Sequence, residues 1–446
     1  MLDRNITVDF SRSCGRIKPL GGACLGPLFD TDVRIDLSSE YRELGVPAVR
    51  TASSRLPREG SLLIDIRRVF PDPDLDERFP ESYRFCETDE ALNAIKESGA
   101  DILLSLGEVW DARSVRRMNP CVPPDKWARI AEKIILHYNR GWGGGFKHSI
   151  KYIEIWPGAD RADAFASSPR EYYELYRIVA SHLKSVFPTL RIGGYSSGGF
   201  YALNHYDADP LRKGYIEFLG GFLSYITSDE ARAPLDFLSW ECSAESAEEL
   251  SLHANYARSF LSQYGLKRAQ SIVSELSLDT GALSARTSRD YPARLAATLA
   301  VASDADIDMM LYSTMHPYSR DNAILCFDDS ESVHRYSSFG VMSAFGRLYS
   351  LGTRVYTTDN YRREAYALAA ASDGEGAILL ATGAYTGTLA ITLVGSRYRT
   401  YSIKGMLGGG KRGAGFSTSE ENIPLTSGQI RIKVGRSEVY LITLSV

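Results

Sequence analysis

Four carboxylates follow apolar segments of the sequence closely enough to suggest chemistry. They are Glu108 after DILLSLG, Asp160 after KYIEIW, Glu241 after PLDFLSW and Glu275 within the end of QSIVSEL. A charged side chain next to an apolar segment is costly to bury unless it has a partner or a role. Carboxylates serve enzymes as nucleophiles and as proton donors and acceptors. Each of the four can equally be a surface residue that opens a loop.

Glu154 lies inside an apolar segment rather than after one. It alternates with Ile153 and Ile155, so its side chain points to one face of a predicted strand. We expect an internal salt bridge, with an arginine as the partner, rather than a catalytic role for this residue.

The elements that must position these residues follow from periodicity. Short apolar segments alternate with amphipathic helical segments such as 125–141, 169–186 and 246–265. Eight such units over about 330 residues predict an α/β fold, a closed (β/α)8 TIM barrel spanning 16–350, whose active residues lie at the carboxyl ends of its strands. The predicted strands are 19–25, 48–53, 101–107, 151–156, 191–196, 234–240, 270–276 and 306–314.

After Val355 the pattern changes to short alternating strands separated by Gly, Ser and Thr. This pattern predicts an accessory antiparallel β-sandwich domain. The opening segment 5–10 has the same character, so we assign 1–15 together with 351–446 to the sandwich. We expect it to brace the barrel rather than to bind carbohydrate.

Composition excludes several classes of protein. The 446 residues are 44% hydrophobic and 24% charged, with a net charge of −4, which is ordinary for a globular protein and argues against nucleic-acid or anionic-membrane partners. No apolar run reaches the length of a membrane span, and the first residues lack a signal-peptide pattern. We therefore expect a cytoplasmic protein. The oligomeric state stays open, and a homo-oligomer is possible.

Three further motifs carry little weight. Residues 405–412 match part of a phosphate-binding loop, but Arg412 replaces the Ser or Thr that would hold Mg²⁺. The six cysteines are scattered and the seven histidines show no metal-ligand spacing, so we expect no metal site and no cofactor. No Gly-x-Ser-x-Gly elbow supports serine-based hydrolysis.

Several segments in order resemble glycoside hydrolase family 39, the group of β-xylosidases and iduronidases. The segments that carry the resemblance are GGACLGP (21–27), ELGVPAVRT (43–51), 83–107, KWARIAEKIILHYNRGW (126–142), KYIEIW (151–156), LRIGGYS (190–196), PLDFLSW (234–240) and SIVSEL (271–276). The resemblance implies a retaining glycosidase with two catalytic glutamates. It places the nucleophile at Glu275.

The same resemblance shows where this chain departs from the family. The Trp-Asn-Glu-Pro motif that carries the acid/base reads Trp156-Pro157-Gly158-Ala159, so Gly158 stands at the position of the general acid. The family's Arg-Thr-His-Asp pattern reads 50–53 Arg-Thr-Ala-Ser, and the usual His of strand 6 is Glu241. The barrel pattern is kept while the residues at its mouth have changed.

Three hypotheses follow for the function. In the first, the protein is a retaining glycosidase whose general acid has been relocated, with Glu241 as the first candidate and Asp160 as the second. In the second, it cleaves glycosides whose leaving groups need no acid. In the third, it is an inactive carbohydrate-binding protein. We expect an oligosaccharide or glycoside partner, with contacts from Trp156, Asp160, Trp240, Tyr312, Arg50, Glu108 and His316.

Overall fold

Eight parallel strands close into a barrel, as the sequence predicted. The structure is a computed structural model, and it describes residues 4–30, 34–52, 65–108, 120–205, 207, 209–278, 288–313, 315, 324–327, 332–358, 364–406 and 415–446. Numbered β1 to β8 along the chain, the barrel strands are Gly22–Cys24, Ala48–Arg50, Asp101–Leu106, Tyr152–Ile155, Arg191–Ser197, Phe237–Ala244, Gln270–Leu278 and Met309–Tyr312. Each pairs with its sequence neighbour, and β8 pairs with β1.

Helices surround the barrel, and their apolar faces pack against its strands. In the segment 125–141, which the sequence predicted as an amphipathic helix, apolar residues such as Ile130 and Ile134 have no exposed surface. Ser168 begins another helix with a capping box, because its hydroxyl and the Glu171 carboxylate satisfy backbone N–H groups reciprocally. The helices are Ser38–Leu44, Ile66–Val69, Cys86–Glu97, Pro124–Arg140, Pro169–Val186, Pro210–Thr227, Ala247–Gln263, Tyr291–Asp304 and Ser337–Leu351.

Short elements complete the barrel layer. Single turns of 3-10 helix form at Pro80–Ser82, Trp142–Gly144 and Tyr201–Leu203. Two small antiparallel pairs join Leu28–Asp30 to Arg34–Asp36 and Leu325–Phe327 to Val333–Arg335. None of the described helices is long and apolar enough to cross a bilayer.

The remaining strands form one nine-stranded sheet that is antiparallel except at one pair. The opening strand Arg4–Arg16 lies within it, antiparallel to Thr353–Thr357 and parallel to Gly387–Val394. In spatial order the strands are Ser417–Pro424, Thr400–Met406, Val439–Ser445, Glu375–Thr382, Ala365–Ala371, Thr353–Thr357, Arg4–Arg16, Gly387–Val394 and Gln429–Val434. The sheet therefore combines a strand that precedes the barrel with strands that follow it.

The two faces of the sheet have different partners. Tyr366 and Leu368 belong to the hydrophobic core shared with the barrel helices, while Ala367 and Ala369 belong to a second core inside the sheet. This division follows from the period of two, which sends successive side chains to opposite faces. Because one core is shared, the proposed boundaries at 16 and 350 stay a prediction.

Candidate active site

Glu241 and Glu275 lie side by side at the carboxyl ends of β6 and β7. Both strands run further than predicted, to Ala244 and Leu278, so Glu241 lies within its strand rather than after it, while Glu275 lies within β7 as predicted. Their Cα atoms are direct partners in the parallel ladder. This register depends on a bulge at β7, since Val273 pairs with Trp240 and the next pair is already Glu275 with Glu241. Such bulges re-aim side chains at barrel rims.

Glu275 is fully buried and is held by Arg50 of β2 and by Ser313, which directly follows β8. Nη1 of Arg50 donates to Oε1 of Glu275 at 2.8 Å, and Oγ of Ser313 donates to Oε2 at 3.3 Å. Ionised carboxylates are stabilised by such a guanidinium at close range. Glu275 therefore has the surroundings of a charged group, which is the form that a nucleophile requires.

Arg50 also binds Glu154, which confirms the internal salt bridge expected for that residue. Nε of Arg50 lies 2.9 Å from Oε2 of Glu154, and the hydroxyl of Ser105 donates to the same oxygen at 2.6 Å. Burial lowers the pKa of Arg50, but Glu154 and Glu275 outweigh burial and raise it overall. Arg50 has 1% of its surface exposed, so it positions Glu275 and does not agree with the expected contact to substrate.

Gly158 stands in the left-handed region of backbone conformation, and an arginine fills the space beside it. Its φ is 74°, and its N–H donates to the carbonyl of Tyr195 at 2.5 Å. A Cβ atom at this position would overlap Nη2 of Arg161. A side chain at 158 and the present position of Arg161 therefore exclude each other.

Arg161 forms an ion pair with the relocated-acid candidate Glu241. Nη1 of Arg161 lies 2.7 Å from Oε1 of Glu241, to which the hydroxyl of Ser196 also donates at 3.1 Å. The two side chains are 19% and 11% exposed, so water screens the pair only in part. Burial lowers the pKa of Arg161, while Glu241 and Asp160 raise it by more. Glu241 thus faces a permanent cation.

The surroundings of Asp160 favour its neutral form, whereas those of Glu241 favour the charged form. Its Oδ2 accepts from the N–H of Gly198 at 2.8 Å and from the hydroxyl of Ser197 at 3.2 Å. Its Oδ1 is withdrawn from solvent and has no hydrogen-bond partner among the described residues. Burial raises the pKa of Asp160 to about 7, against the opposing effect of Arg161. The carboxyl is therefore partly protonated near neutral pH.

Glu108 is committed to structure. Its buried carboxylate forms an ion pair with Arg67, and Oε1 accepts from the N–H of Cys121 at 2.8 Å. A buried carboxylate must be paired, and these two partners satisfy Glu108. The same interactions anchor the segments that contain Arg67 and Cys121. The expected contact of Glu108 with substrate does not agree with this placement.

The aromatic residues expected to line a sugar site are buried. The indole N–H of Trp156 donates to the carbonyl of Ala164 at 3.0 Å, and that of Trp240 donates to Ser271 at 2.9 Å. Tyr312 is 2% exposed and its hydroxyl bonds that of Tyr291. A ring without exposed surface cannot stack on a sugar, so these three contacts disagree with the structure. His316 lies outside the described residues.

Comparison with known proteins places this geometry in context. No protein-family model matches the chain. A β-xylosidase from Caldicellulosiruptor saccharolyticus is 24% identical over 206 residues, 42% of this chain and 39% of that protein. This chain thus matches about two fifths of the length of its curated relative.

Solved structures are similar over the whole chain. A glucosidase from Croceicoccus marinus has a TM-score of 0.77 at 20% identity, with all of both chains covered. A family 39 β-xylosidase from Caulobacter crescentus has a TM-score of 0.66 at 15% identity, covering 99% of this chain and 100% of that one. A family 39 enzyme from Xanthomonas axonopodis pv. citri has a TM-score of 0.66 at 13% identity, covering 100% and 98%.

The chain has the fold of family 39 glycoside hydrolases. The resemblance inferred from the sequence is thereby supported for the fold, both for the barrel and for the β-rich accessory sheet. Within the described residues, no cluster of three or more His, Cys, Asp or Glu side chains could hold a metal ion.

Sequence reasoning missed Arg161 altogether. It lies in the polar segment DRADA, which reads as an ordinary loop. Gly158 was the one indication of it in the sequence. Where a glycine leaves space at the carboxyl ends of the barrel strands, close packing requires a neighbouring side chain to fill that space. The burial of Trp240 was also predictable, since a residue adjacent to Glu241 in a strand points to the opposite face.

Proposed function

We propose that the protein is a glycoside hydrolase in which Glu275 is the nucleophile. The observation that carries the proposal is the placement of Glu275 at the carboxyl end of β7, buried and paired with Arg50, in the fold of known glycosidases. The named relatives act as a glucosidase and as β-xylosidases. A glycoside of this general class is accordingly the proposed substrate.

In the proposed reaction an oxygen of Glu275 attacks the anomeric carbon and the bond to the leaving oxygen breaks. A covalent glycosyl ester forms, and its hydrolysis retains the anomeric configuration. Arg50 stabilises the charged form of the Glu275 carboxylate. Because Glu154 holds the guanidinium of Arg50 in place, Arg50 also fixes the orientation of Glu275. Ser313 supplies a further hydrogen bond to the second oxygen.

The two acid candidates suit different steps. Glu241 faces Arg161, which favours a carboxylate, so Glu241 is better suited to accept a proton from water than to bring one to the leaving group. Asp160, with a pKa of about 7, has the protonation of a general acid. Its carboxyl, however, is tied to Gly198 and Ser197 on the β5 side of the site.

The alternative, a carbohydrate-binding protein without turnover, has less support. Such a protein would use aromatic walls, and Trp156, Trp240 and Tyr312 are all buried. In contrast, the pairing of Glu275 by Arg50 and Ser313 preserves the state that catalysis needs.

Covalent labelling tests the proposed function. The protein is incubated with a panel of activated 2-deoxy-2-fluoro glycosides, including the glucoside and the xyloside, and its intact mass is measured. We expect one added glycosyl mass that peptide mapping places on Glu275, and no label on Glu275→Gln. Glu108→Gln is the matched control, since Glu108 is another buried glutamate of the barrel. A folded protein that binds saccharide and takes no label from any sugar would favour the binding protein.

A further inference from the structure

Arg161 occupies the approach to the missing acid, and its position has a consequence for the substrate. A Cβ atom at Gly158 would overlap Nη2 of Arg161, so a guanidinium stands where the side chain of a general acid would begin. A guanidinium in this environment cannot donate its proton, because Glu241 and Asp160 hold the pKa of Arg161 above its ordinary value. It can instead stabilise negative charge.

Arg161 retains donors for a ligand. Nη1 is bonded to Glu241, while Nε and Nη2 have no hydrogen-bond acceptor among the described residues. The side chain is 19% exposed, so part of it is open to solvent. A guanidinium presents its N–H groups as a rigid fork that matches the oxygens of phosphate and carboxylate.

The direction of charge transfer in the proposed reaction fits this arrangement. When Glu275 becomes an ester, its negative charge passes to the leaving oxygen. Glu275 is close enough to Arg161 to raise the pKa of Arg161, so the guanidinium lies within electrostatic reach of the starting carboxylate as well as of position 158. A fixed cation placed where charge develops lowers the barrier to that transfer.

We propose that Arg161 binds an oxyanion and that the site transfers a glycosyl group between Glu275 and that oxyanion, so that its substrates are glycosyl esters of oxyacids such as phosphate or a carboxylate. The proposal rests on the proposed function, because it needs Glu275 as nucleophile. It assigns to Arg161 the leaving-group side of the reaction.

The step balances without a proton. An oxygen of Glu275 forms a bond to the anomeric carbon, the bond from that carbon to the ester oxygen breaks, and its electron pair leaves with the oxyanion, which Arg161 holds. In the reverse direction the oxyanion attacks the anomeric carbon and Glu275 leaves as a carboxylate. A sugar alkoxide, by contrast, needs proton transfer, which contributes about 10²–10⁴-fold in ordinary glycosidases.

Phosphate as acceptor provides the test. The unmodified protein is given the 4-nitrophenyl glycoside of the sugar that labels Glu275, with sodium phosphate varied at constant ionic strength using sodium chloride. We expect nitrophenol release to rise with phosphate and to saturate, and ³¹P NMR to show a glycosyl phosphate. We expect the protein to react with the glycosyl phosphate of the same sugar, either by forming the Glu275 ester or by turning the substrate over. We expect no reaction with the methyl glycoside of that sugar.

Variants separate binding from a structural role. Arg161→Ala should lose the saturable phosphate effect, on the order of 10²-fold in the phosphate-dependent rate, as for removal of one donor aimed at developing charge. Arg161→Lys should retain part of it with a weaker half-saturation. Arg170→Ala is the matched control, because Arg170 is exposed and contacts the ring of Tyr225 instead.

Each remaining outcome has a definite meaning. If Glu275 is labelled but phosphate changes neither rate nor product, the oxyanion proposal is wrong and the proposed function stands. If the methyl glycoside is cleaved as fast as the phosphate ester, the proposal is also wrong, since a proton donor must then operate. If Glu275 is never labelled, the proposed function itself fails. Should Arg161→Ala not fold, the product formed by the unmodified protein decides.

Discussion

Two arginines at the same barrel hold carboxylates in different ways. Arg50 lies between Glu154 and Glu275, and all three side chains are at most 1% exposed. Arg161 pairs with Glu241 at the mouth, where both side chains retain some contact with solvent. The inner network joins strands, whereas the outer pair joins a loop to a strand.

The difference separates what the barrel must keep from what it can change. Removing any member of the inner network leaves a charge in the interior, which is strongly unfavourable. In the outer pair, the guanidinium of Arg161 fills the space that a side chain at position 158 would occupy. The two positions are three residues apart in the same loop. Under the proposed function, the inner network therefore fixes the proposed nucleophile Glu275, and the outer pair lies on the proposed leaving-group side of the bond.

The largest expected effect comes from Arg50→Met. Loss of the guanidinium leaves Glu154 and Glu275 buried without their cation, so we expect the free energy of unfolding to fall by about 3–5 kcal/mol. Equilibrium urea denaturation measures it. Arg50→Lys keeps the charge and should lose less. A loss below about 1 kcal/mol for Arg50→Met would show that the buried network does not stabilise the fold.

A smaller effect is expected from Gly158→Ala. The new Cβ would displace Arg161 from Glu241, and the residue would also stand at a φ of 74°. We expect a loss of about 1.5–3 kcal/mol, the range for a hydrogen bond to a charged group, beyond the backbone cost of about 1 kcal/mol. Thermal or urea unfolding measures the total.

Gly144→Ala is the matched control for the backbone cost. Gly144 has a φ of 79°, and a Cβ there would meet nothing within 4 Å. The difference between the two glycine variants isolates the displacement of Arg161. In a protein that already carries Arg161→Ala, adding Gly158→Ala should cost no more than Gly144→Ala costs in the wild-type protein. Equal losses in both single variants would mean that Arg161 moves aside freely.

The inner network was predictable from sequence in part, since Arg50 was expected to contact substrate, and the outer pair was not predictable. Eight apolar segments predict eight strands because each must be buried on both faces. Glu154 between two isoleucines predicts a buried ion pair, because a buried carboxylate needs a cation. The sequence also located Glu275 in the seventh strand, although only the resemblance to a family suggested its proposed role as nucleophile.

The outer pair depends on features that leave no periodic signal. The bulge that pairs Glu275 with Glu241 adds one residue to an apolar segment without changing its composition. The side chain of Arg161 reaches Glu241 across the barrel mouth, 80 residues away in sequence. Such a contact is decided by tertiary geometry, so a loop sequence does not reveal it.

The smallest expected effect, that of Asp160→Asn, tests whether the mouth holds a partly neutral carboxyl. The pKa of Asp160 is raised from 3.8 to about 7 in the folded protein. Between these values the folded state binds more protons than the unfolded state, so the stability that Asp160 contributes falls as the pH rises through 7.

Asparagine can accept from the N–H of Gly198 in the same way and does not ionise. We therefore expect the wild-type protein to lose about 2.5 kcal/mol relative to Asp160→Asn between pH 5 and pH 8, because about two pH units separate pH 5 from the folded pKa and each contributes about 1.4 kcal/mol. Urea denaturation of both proteins across this range measures the difference. Parallel stability curves would mean that Asp160 is ionised throughout, which would add negative charge beside Arg161 and weaken the binding of an oxyanion there.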